Sequence, residues 1–314
     1  MNNSKNFFHT TVMLNETLEF LNIKNNGVYI DATLGGGGLS ENILKRLDSN
    51  GKLIAIDIDK DAVDYCKEKF KREFENKKRI QIFNCNFIEI PEILKYLKIN
   101  KVDGICMDLG ISSHQIDCAN RGFSYIYDAY LDMRMSQNGK SAYDIINFTE
   151  ENKLANIIWK FGEEKFAKLI AKSICKKRKI KKISTTLELV DIIQSVIPRY
   201  YSGHCAKKTF QAIRIAVNNE LENLDIALSN CIKLLNKTGR LAVLSFHSLE
   251  DRIIKQKMKF WEKSCICPAG SPVCICKKKQ EAVIINKKVI IASKDEIKDN
   301  PRSKSAKLRV CERT

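Results

Sequence analysis

Two groups of residues in this sequence have the chemistry of a nucleotide-binding site. Four consecutive glycines, Gly35–Gly38, follow the short apolar run Val28–Leu34. Glycine lets the backbone approach a nucleotide-like ligand where a Cβ atom would collide. Asp57 follows a second apolar run, and its carboxylate can accept hydrogen bonds from both hydroxyls of a ribose. This pair alone does not separate a nicotinamide dinucleotide from S-adenosylmethionine, and the glycines do not have the G-x-G-x-x-G spacing.

A third group lies further along the chain. Asp108 ends a strand-like run, Val102–Leu109, and begins a polar segment that continues to Gln115. Ligands of an open parallel sheet bind at the carboxyl ends of its strands, so we expect Asp108 to share one edge with the glycines and with Asp57. Asp59, which comes after the end of its strand, is the weaker candidate for the ribose contact.

The elements that would position these groups alternate between strands and helices. Short apolar runs predict strands, and the segments between them predict helices at about 40–47 and 61–75. The predicted strands are Val28–Leu34, Lys52–Ile56, Arg79–Phe83, Val102–Leu109 and Arg240–Phe246, with Val283–Ile291 and Lys307–Cys311 as two closing strands. This order is typical of a doubly wound parallel sheet.

Between the fourth and fifth strands the β-branched runs disappear and helical periodicity takes over. Thr185–Glu188 resembles a capping box before a helix that Pro198 ends, and residues 210–235 predict one long helix. One apolar stripe at helical spacing consists of Phe166, Leu169, Ile170 and Ile174. We therefore expect a helical insertion at about 117–207.

Several longer motifs run in order over nearly the whole chain. They occupy residues 9–12, 108–115, 121–124, 132–135, 209–214, 245–252, 300–302 and 305–309. Together they closely resemble the bacterial 16S rRNA cytosine-N4 methyltransferase family. The resemblance implies an α/β fold, a class I (Rossmann-like) methyltransferase sheet with an inserted all-helical domain. Residues 1–116 and 208–314 would form the S-adenosylmethionine-binding domain, and residues 117–207 an insertion that recognises rRNA.

The resemblance also implies roles for individual residues. Those that would contact the cofactor S-adenosylmethionine are Gly37, Gly38, Leu39, Asp57, Phe87, Asp108 and Gln115. Asp57 would bind the ribose, Phe87 would lie by the adenine, and Asp108 and Gln115 would flank the reacting end. The family commonly has a histidine where this chain has Leu39, a change that is mild if the backbone makes the contact.

The implied substrate atom is the exocyclic N4 of a cytidine, a poor nucleophile because its lone pair is delocalised into the ring. An acceptor beside the amine protons would localise that pair and receive positive charge as the bond forms. We assign this catalytic role to Asp108, assisted by the Leu109 carbonyl. The residues after Asp108 include no stacking aromatic, so Phe123 or Tyr125 is the candidate to clamp the base. His247 is equally consistent with a site residue and with a structural one.

The composition favours a polyanionic partner. Lys and Arg number 54 against 37 Asp and Glu, a formal net charge of +17. The run Lys172–Lys182 is expected to lack acidic partners, which favours phosphate contacts, and Tyr200 and Tyr201 adjoin further lysine. Arg134 and Arg252 are consistent with phosphate contacts or with local ion pairs. With the resemblance, this predicts 16S rRNA as substrate, within the small ribosomal subunit and near the decoding centre.

The cysteines fall into two classes. Single cysteines within apolar segments are expected to be reduced core residues, namely Cys66, Cys106, Cys175 and Cys231. A compact set consists of Cys265, Cys267, Cys274 and Cys276. Four thiolates can hold a structural zinc ion, although the usual spacing is Cys-x-x-Cys. Lys277–Lys279 would add charge for RNA.

We expect a cytoplasmic protein, because the segment Met1–Thr11 is polar and no apolar stretch approaches the length of a membrane span. Two rival functions are a nicotinamide-dependent oxidoreductase on the same sheet and an RNA-binding assembly factor with a vestigial cofactor pocket. The first predicts cofactor absorbance changes without methyl transfer, and the second predicts RNA binding without turnover.

Overall fold

The computed structural model describes residues 11–73, 79–198, 203–268 and 273–314. The chain divides into two compact units, one formed by Met1–Gly110 with Leu221–Thr314 and the other by Ile111–Glu220. The second unit begins at Ile111, before residue 117. It ends after residue 207 because helix α10, Lys207–Asn218, packs on helix α7, Glu151–Gly162. No helix in the described ranges is long and apolar enough to cross a bilayer.

The first unit is built on one sheet, which has eight strands in the described part of the chain. They are β1 Val28–Asp31, β2 Lys52–Asp57, β3 Ile80–Asn84, β4 Val102–Asp108, β5 Leu235–Ser245, β6 Ala282–Ile284, β7 Ile290–Ile291 and β8 Lys307–Arg313. Their order is β3-β2-β1-β4-β5-β8-β6, with β7 paired to β8. Strands β1 to β5 run parallel, and β8 is antiparallel to β5 and β6. The predicted fold class is confirmed.

Helices connect the strands and make up the second unit. The bounds are α1 Leu14–Leu21, α2 Gly38–Arg46, α3 Lys60–Lys69, α4 Ile90–Tyr96, α5 Ser113–Asp117, α6 Ala142–Phe148, α7 Glu151–Gly162, α8 Ala167–Ile180, α9 Thr186–Gln194, α10 Lys207–Asn218, α11 Glu220–Leu234, α12 Ser248–Glu262 and α13 Lys294–Asp299. The capping box predicted at Thr185 is confirmed, since its hydroxyl accepts the Glu188 N–H and the Glu188 carboxylate accepts the Thr185 N–H.

Both faces of the sheet are buried. Successive side chains of a strand point to opposite faces, so Tyr29 and Leu53 lie in one apolar cluster and Ile30 and Ile54 in the other. Short runs of continuously apolar residues are what a parallel sheet covered by helices on both faces requires. The four cysteines predicted to lie in the core are all buried.

Three predicted elements differ in the structure. The helix expected at 210–235 is interrupted at Asn219, which has a φ of 51°. The preceding Asn218 fixes this break, because its side chain accepts the Met135 N–H and donates to the Met133 carbonyl, each at 2.8 Å. The strand expected at 283–291 is two short strands, since the side chain of Asn286 takes the place of a strand partner by bonding Leu308 and Val310.

The third difference concerns the apolar stripe. Ile170 and Ile174 are fully buried in the core of the second unit, but Leu169 is 53% exposed. The buried face of α8 instead includes Ala171 and Cys175, which form a row beside that of Ile170 and Ile174.

Candidate active site

Three acidic side chains end three neighbouring parallel strands at one edge of the sheet. Asp31 ends β1, Asp57 ends β2 and Asp108 ends β4. The register sets Asp31 beside Cys106 of β4 and Ala55 of β2, so β2 and β4 each extend two residues further than β1. The glycine loop leaves β1 at this edge, where an open parallel sheet binds its ligands.

The glycine loop reverses the chain between β1 and α2. The Leu34 N–H donates to the Ile56 carbonyl at 2.9 Å, and the Gly37 N–H donates to the Leu34 carbonyl at 2.8 Å. Gly35 and Gly37 have φ values of 48° and 73°, a region that side chains with a Cβ rarely adopt. The loop therefore delivers the chain to the start of α2, where the first N–H groups of the helix have no partner within it.

Gly37 has a second reason to be glycine. A Cβ atom built on it would lie 2.7 Å from Cε2 of Phe70 and 2.9 Å from Sγ of Cys66. We expect Gly37→Ala to lower the free energy of unfolding by about 2 kcal/mol, combining left-handed strain with the clash. Chemical denaturation measures this change.

Gly139→Ala is the matched control for that substitution, because Gly139 has a φ of 81° and nothing lies within 4 Å of its Cβ position. A loss at Gly37 no larger than the loss at Gly139 would contradict the steric argument.

The side chain of Leu39 does not face the loop. It is 5% exposed and belongs to the apolar cluster that packs under α2. A ligand at the start of α2 would therefore meet the backbone of residue 39. A histidine at this position is not required for that contact.

The Asp57 carboxylate is held by the backbone on both sides. Its Oδ2 accepts the Gly35 N–H at 2.7 Å and its Oδ1 accepts the Asp59 N–H at 2.8 Å. Burial raises the pKa of Asp57 to about 6, and the charges of Asp59 and Asp31 add to this shift. Asp59 itself caps α3 by accepting the Asp61 N–H at 3.1 Å, which explains why it is the weaker candidate for a ligand contact.

The carboxylate of Asp108 includes a buried oxygen that accepts no hydrogen bond from the described residues. The Asp108 backbone N–H donates to Oγ1 of Thr33 at 2.6 Å, which ties the end of β4 to the loop. Its Oδ1 is buried and has no hydrogen-bond partner among the described residues. Burial raises the pKa of Asp108 to about 7, and the charges of Asp31 and Glu250 add to the shift. An unpaired buried carboxylate oxygen is costly to the fold, so its retention at a ligand-binding edge indicates function.

Asp31 is the site residue that sequence reasoning did not single out. Its side chain is fully buried, with Oδ2 accepting the Ser40 hydroxyl at 2.6 Å and Oδ1 accepting the Thr33 N–H at 3.2 Å. Burial raises its pKa to about 6. Its position, the last residue of β1 before a glycine loop, was the available signal.

Phe87 lies past the end of β3, in a 3-10 helix at Phe87–Glu89. The Cys85 N–H donates to the Asp57 carbonyl at 3.1 Å, which keeps this segment beside the end of β2. The Phe87 ring is half-buried and packs against the apolar cluster that also contains Ile56. This location is compatible with the predicted adenine contact.

Gln115 belongs to the second unit. It is buried and completes a capping box at the start of α5. Its Oε1 accepts the Ser112 N–H at 3.0 Å, and its own N–H donates to the Ser112 hydroxyl at 3.2 Å. The structure thus assigns Gln115 a positioning role within its own loop.

His247 has a defined structural role. It precedes α12, and its Nδ1 accepts the Glu250 N–H at 3.4 Å, while the Glu250 carboxylate accepts the Phe246 N–H at 2.9 Å. Its Nε2 lies 3.1 Å from Oε1 of Glu250. Of the two interpretations left open by the sequence, the helix cap accounts for these contacts.

Local contacts in the second unit bear on the predictions for Arg134 and for the residue that clamps the base. Arg134 forms a bidentate ion pair with Asp132, at 2.7 and 2.9 Å, which is the ion-pair alternative. Phe123 is buried in the core of the unit, and Tyr125 is half-buried and stacks on His204 at 4.4 Å between ring centroids. Tyr125 is therefore the better placed of the two candidate clamps.

The basic run on α8 is only partly available to a partner. The prediction that it lacks acidic partners is wrong for Lys181, whose ammonium lies 2.7 Å from the Glu188 carboxylate. Arg178 donates to the carbonyls of Ile146 and Thr149 at 2.6 Å each, so its charge is directed into the fold. The exposed members of the run are Lys172, Lys176, Lys177, Lys179, Lys181 and Lys182. Tyr200 and Tyr201 lie outside the described residues.

The four-cysteine set converges in space. The Sγ–Sγ separations are 3.4 Å for Cys265–Cys274, 3.5 Å for Cys274–Cys276, 3.7 Å for Cys276–Cys265 and 4.0 Å for Cys267–Cys274. All four sulfur atoms lie within 4.8 Å of one another. Lys278 next to this set is not free to bind RNA, because its ammonium pairs with Glu281 and lies over the Phe260 ring.

Comparison with known proteins identifies the family. Residues 6–314 match the MraW methylase family. The chain belongs to this family. It is a methyltransferase, and the resemblance inferred from the sequence motifs is confirmed.

Curated relatives match nearly the whole length of the chain. The ribosomal RNA small subunit methyltransferase H of Clostridium botulinum (strain Kyoto / Type A2) is 53% identical, over 97% of this chain and 98% of the relative. Proteins of the same name from Caldicellulosiruptor saccharolyticus and Clostridioides difficile are 50% and 48% identical, over 97% and 98% of this chain and 99% of each relative. Among solved structures, TrmN from Thermus thermophilus is similar with a TM-score of 0.43 and 10% identity, over 96% of this chain and 48% of that chain.

Proposed function

We propose that this methyltransferase transfers a methyl group from S-adenosylmethionine to the exocyclic N4 of a cytidine in 16S rRNA of the small ribosomal subunit, near the decoding centre. The observation that carries the proposal is the buried, unpartnered Oδ1 of Asp108 at the carboxyl edge of the sheet. Relatives named ribosomal RNA small subunit methyltransferase H, about half identical over nearly the full length, support the choice of substrate. Because small subunits are assembled in the bacterial cytoplasm, we infer a cytoplasmic enzyme.

The residues at the sheet edge fit S-adenosylmethionine, which supplies an electrophilic methyl group when bound. Gly38 and Leu39 begin α2, so their backbone N–H groups have no partner within the helix and can bind the cofactor, while the Gly37 N–H closes the loop onto the Leu34 carbonyl. Asp57 retains acceptor capacity for the ribose hydroxyls after its two backbone contacts, because each carboxylate oxygen accepts more than one hydrogen bond. Phe87 would contact the adenine.

Asp108 would work on the nucleophile. Methyl transfer from a sulfonium is an in-line displacement, so the enzyme mainly orients the reactants. The free Oδ1 would accept one amine proton of the cytosine, helped by the Leu109 carbonyl, and so localise the nitrogen lone pair. Asp108 and Gln115 would then flank the reacting end of the cofactor.

Two features support this chemistry. A nearby negative charge favours a developing positive charge, and Asp31 and Asp108 supply it on adjacent strands. Cys106, the cysteine at this edge, is fully buried in β4, and burial raises the pKa of its thiol well above the usual range. A covalent mechanism through that thiol is therefore unfavourable.

Transfer of labelled methyl from S-adenosylmethionine to small subunits that lack the modification tests this function. Incorporation into the 16S rRNA supports it. Methyl incorporated at another position would keep the methyltransferase activity and reject the cytosine-N4 assignment. RNA binding without methyl transfer would contradict the proposal.

We also propose that Cys265, Cys267, Cys274 and Cys276 bind one structural zinc ion. Four sulfurs at about 2.3 Å from a tetrahedral zinc lie about 3.8 Å apart. Four of the six Sγ–Sγ separations lie between 3.4 and 4.0 Å, around this value, and all six are within 4.8 Å. The backbone N–H groups of Ile266 and Cys267 each lie 3.4 Å from a cysteine sulfur, and such contacts stabilise thiolate ligands.

We expect the purified protein to carry one zinc ion per chain by elemental analysis, and Cys265→Ser combined with Cys274→Ser to remove it. The melting temperature of the double variant should fall, because metal binding to a closed site stabilises the folded state. Cys205→Ser, at a half-buried cysteine outside the loop, is the control. A zinc-free protein in which all four thiols react freely, or in which they form disulfides, would overturn this assignment.

A further inference from the structure

Three aromatic rings form a row on the surface of the second unit. Tyr130 stacks on Tyr143 with ring centroids 5.5 Å apart and planes inclined by 24°. Tyr143 and Phe148 form an edge-to-face pair, with ring centroids 6.0 Å apart. The two outer rings are open to solvent, since Tyr130 is 49% and Phe148 62% exposed. Large apolar rings grouped on a surface indicate a binding site more often than single exposed side chains do.

The backbone holds this aromatic row in place. Tyr130 forms an isolated antiparallel bridge with Thr185, next to the start of α9. The Tyr143 N–H donates to the Leu131 carbonyl at 2.7 Å, which fixes the first turn of α6 against the segment that carries Tyr130. Phe148 is the last residue of α6. The three rings are therefore presented by rigid elements before any partner binds, which reduces the entropy lost on binding.

Positive charge lies at the Phe148 end of the row. The ammonium of Lys182 sits 4.7 Å from the centroid of the Phe148 ring. Arg178 donates to the carbonyls of Ile146 and Thr149, which fixes the basic end of α8 beside Phe148. Lys179, one residue further along α8, is exposed.

Acidic groups lie near the Tyr130 end, and they are engaged. Asp132 is paired with Arg134, and Asp144 accepts the Ser141 N–H at 2.8 Å in the cap of α6. Asp144 keeps its negative charge, so the positive charge available to a partner lies at the other end of the row, at Lys182 and Lys179. This pairing of open rings with lysine matches the two recognition elements of single-stranded nucleic acid, the base and the phosphate.

We propose that Tyr130, Tyr143, Phe148 and Lys182 form a binding surface for single-stranded rRNA, distinct from the acceptor site at Asp108. The inference rests on the proposed function and names the part of the insertion that holds the substrate. Unpaired bases stack on the exposed rings of Tyr130 and Phe148, and Lys182, which lies over one face of Phe148, contacts a phosphate. Double-stranded RNA has no free base faces to offer, so it binds this surface more weakly.

Fluorescence anisotropy with the full-length protein and a labelled single-stranded RNA of about twelve nucleotides tests the surface. We expect Phe148→Ala to weaken binding about tenfold, because stacking of one base is lost. Phe148→Trp keeps a stacking ring and should bind within about threefold of the unmodified protein. Tyr96→Ala is the matched control, since Tyr96 is 77% exposed on α4 of the first unit.

The salt dependence gives an independent readout. Lys182→Gln should lower the slope of log K against log salt by about one, as expected for one lost phosphate contact. Unchanged RNA affinity and slope in both Phe148→Ala and Lys182→Gln would overturn the inference. So would a loss in Phe148→Ala of affinity for assembled subunits but not for RNA, which would indicate a protein partner.

These outcomes are separable from those of the proposed function. Methyl transfer by a protein whose Phe148→Ala variant binds RNA normally would reject only the aromatic surface. Weakened RNA binding in that variant, with no methyl transfer by the unmodified protein, would reject the proposed reaction and keep the surface.

Discussion

Asp108→Asn is expected to reduce methyl transfer to small subunits by about 10² to 10⁴-fold, the usual contribution of a positioned proton acceptor. The substitution keeps the shape of the side chain but replaces the negative acceptor with a neutral amide. Single-turnover incorporation at saturating S-adenosylmethionine measures the effect. Cofactor affinity should change by less than about tenfold, because at most one hydrogen bond to the cofactor is altered.

The pH dependence follows from the raised pKa of Asp108, about 7 in the folded protein. Below that pH the carboxyl group is protonated and cannot accept an amine proton. The value of kcat/KM should therefore rise with pH and level off above about 7. A profile that is flat between pH 5.5 and 8 would contradict the assigned role.

The contribution of Asp108 to stability changes with pH in the opposite direction to the expected activity. For a carboxyl group whose pKa rises on folding, the folded state binds more protons than the unfolded state between the two pKa values. Its contribution to stability is therefore present at low pH and is lost as the pH rises through about 7. Asp108→Asn removes an unpaired buried charge, so at pH 8 the variant should unfold at no lower denaturant concentration than the unmodified protein.

Asp57→Ala should weaken S-adenosylmethionine binding about 100-fold. Hydrogen bonds to a charged group contribute about 1.5–3 kcal/mol each, and the substitution removes those to the ribose. It also frees the Gly35 N–H that Oδ2 of Asp57 accepts at 2.7 Å, so the glycine loop loses a support. Isothermal titration calorimetry with the cofactor measures the change.

Asp64→Ala is the control for Asp57→Ala. Asp64 lies on α3, is exposed, and pairs with Lys60 at the helix surface. Its removal should leave cofactor affinity unchanged, since exposed ion pairs contribute little and it lies away from the loop. Equal losses in the two variants would mean that net charge, and not the contact at the end of β2, governs affinity.

The strand ends that carry the site could be predicted from the sequence. Asp57 and Asp108 each stand at the end of an apolar run of strand length. Because parallel strands end at the same edge of a sheet, the sequence predicts that the two carboxylates share that edge. The fold class could be predicted for the same reason. The assignments of Gly37, Gly38, Leu39, Asp57, Phe87, Asp108 and Gln115 to the cofactor remain predictions.

What the sequence could not disclose depends on contacts between distant segments. Arg178 belongs to an obvious basic run, but its guanidinium is directed to carbonyls about 30 residues earlier in the chain. The break at Asn219 depends on Asn218 binding Met133 and Met135, more than 80 residues away. Neither partner is visible in local periodicity.

The aromatic row was hidden for the same reason. Tyr130, Tyr143 and Phe148 have no regular spacing, and the first two meet through the backbone hydrogen bond between Tyr143 and Leu131. Asp31 was overlooked for a different reason. Its position at the end of a predicted strand, before the glycine loop, could be seen in the sequence, but its contacts with Ser40 and Thr33 could not.

The most direct test of the central claim is mass spectrometry of nucleosides from small subunits that lack the modification, after incubation with S-adenosylmethionine and either the unmodified protein or Asp108→Asn. The account predicts N4-methylcytidine in the 16S rRNA with the unmodified protein and little or none with the variant. A methyl group on a cytosine carbon or on a ribose, or N4-methylcytidine formed equally by the variant, would contradict it.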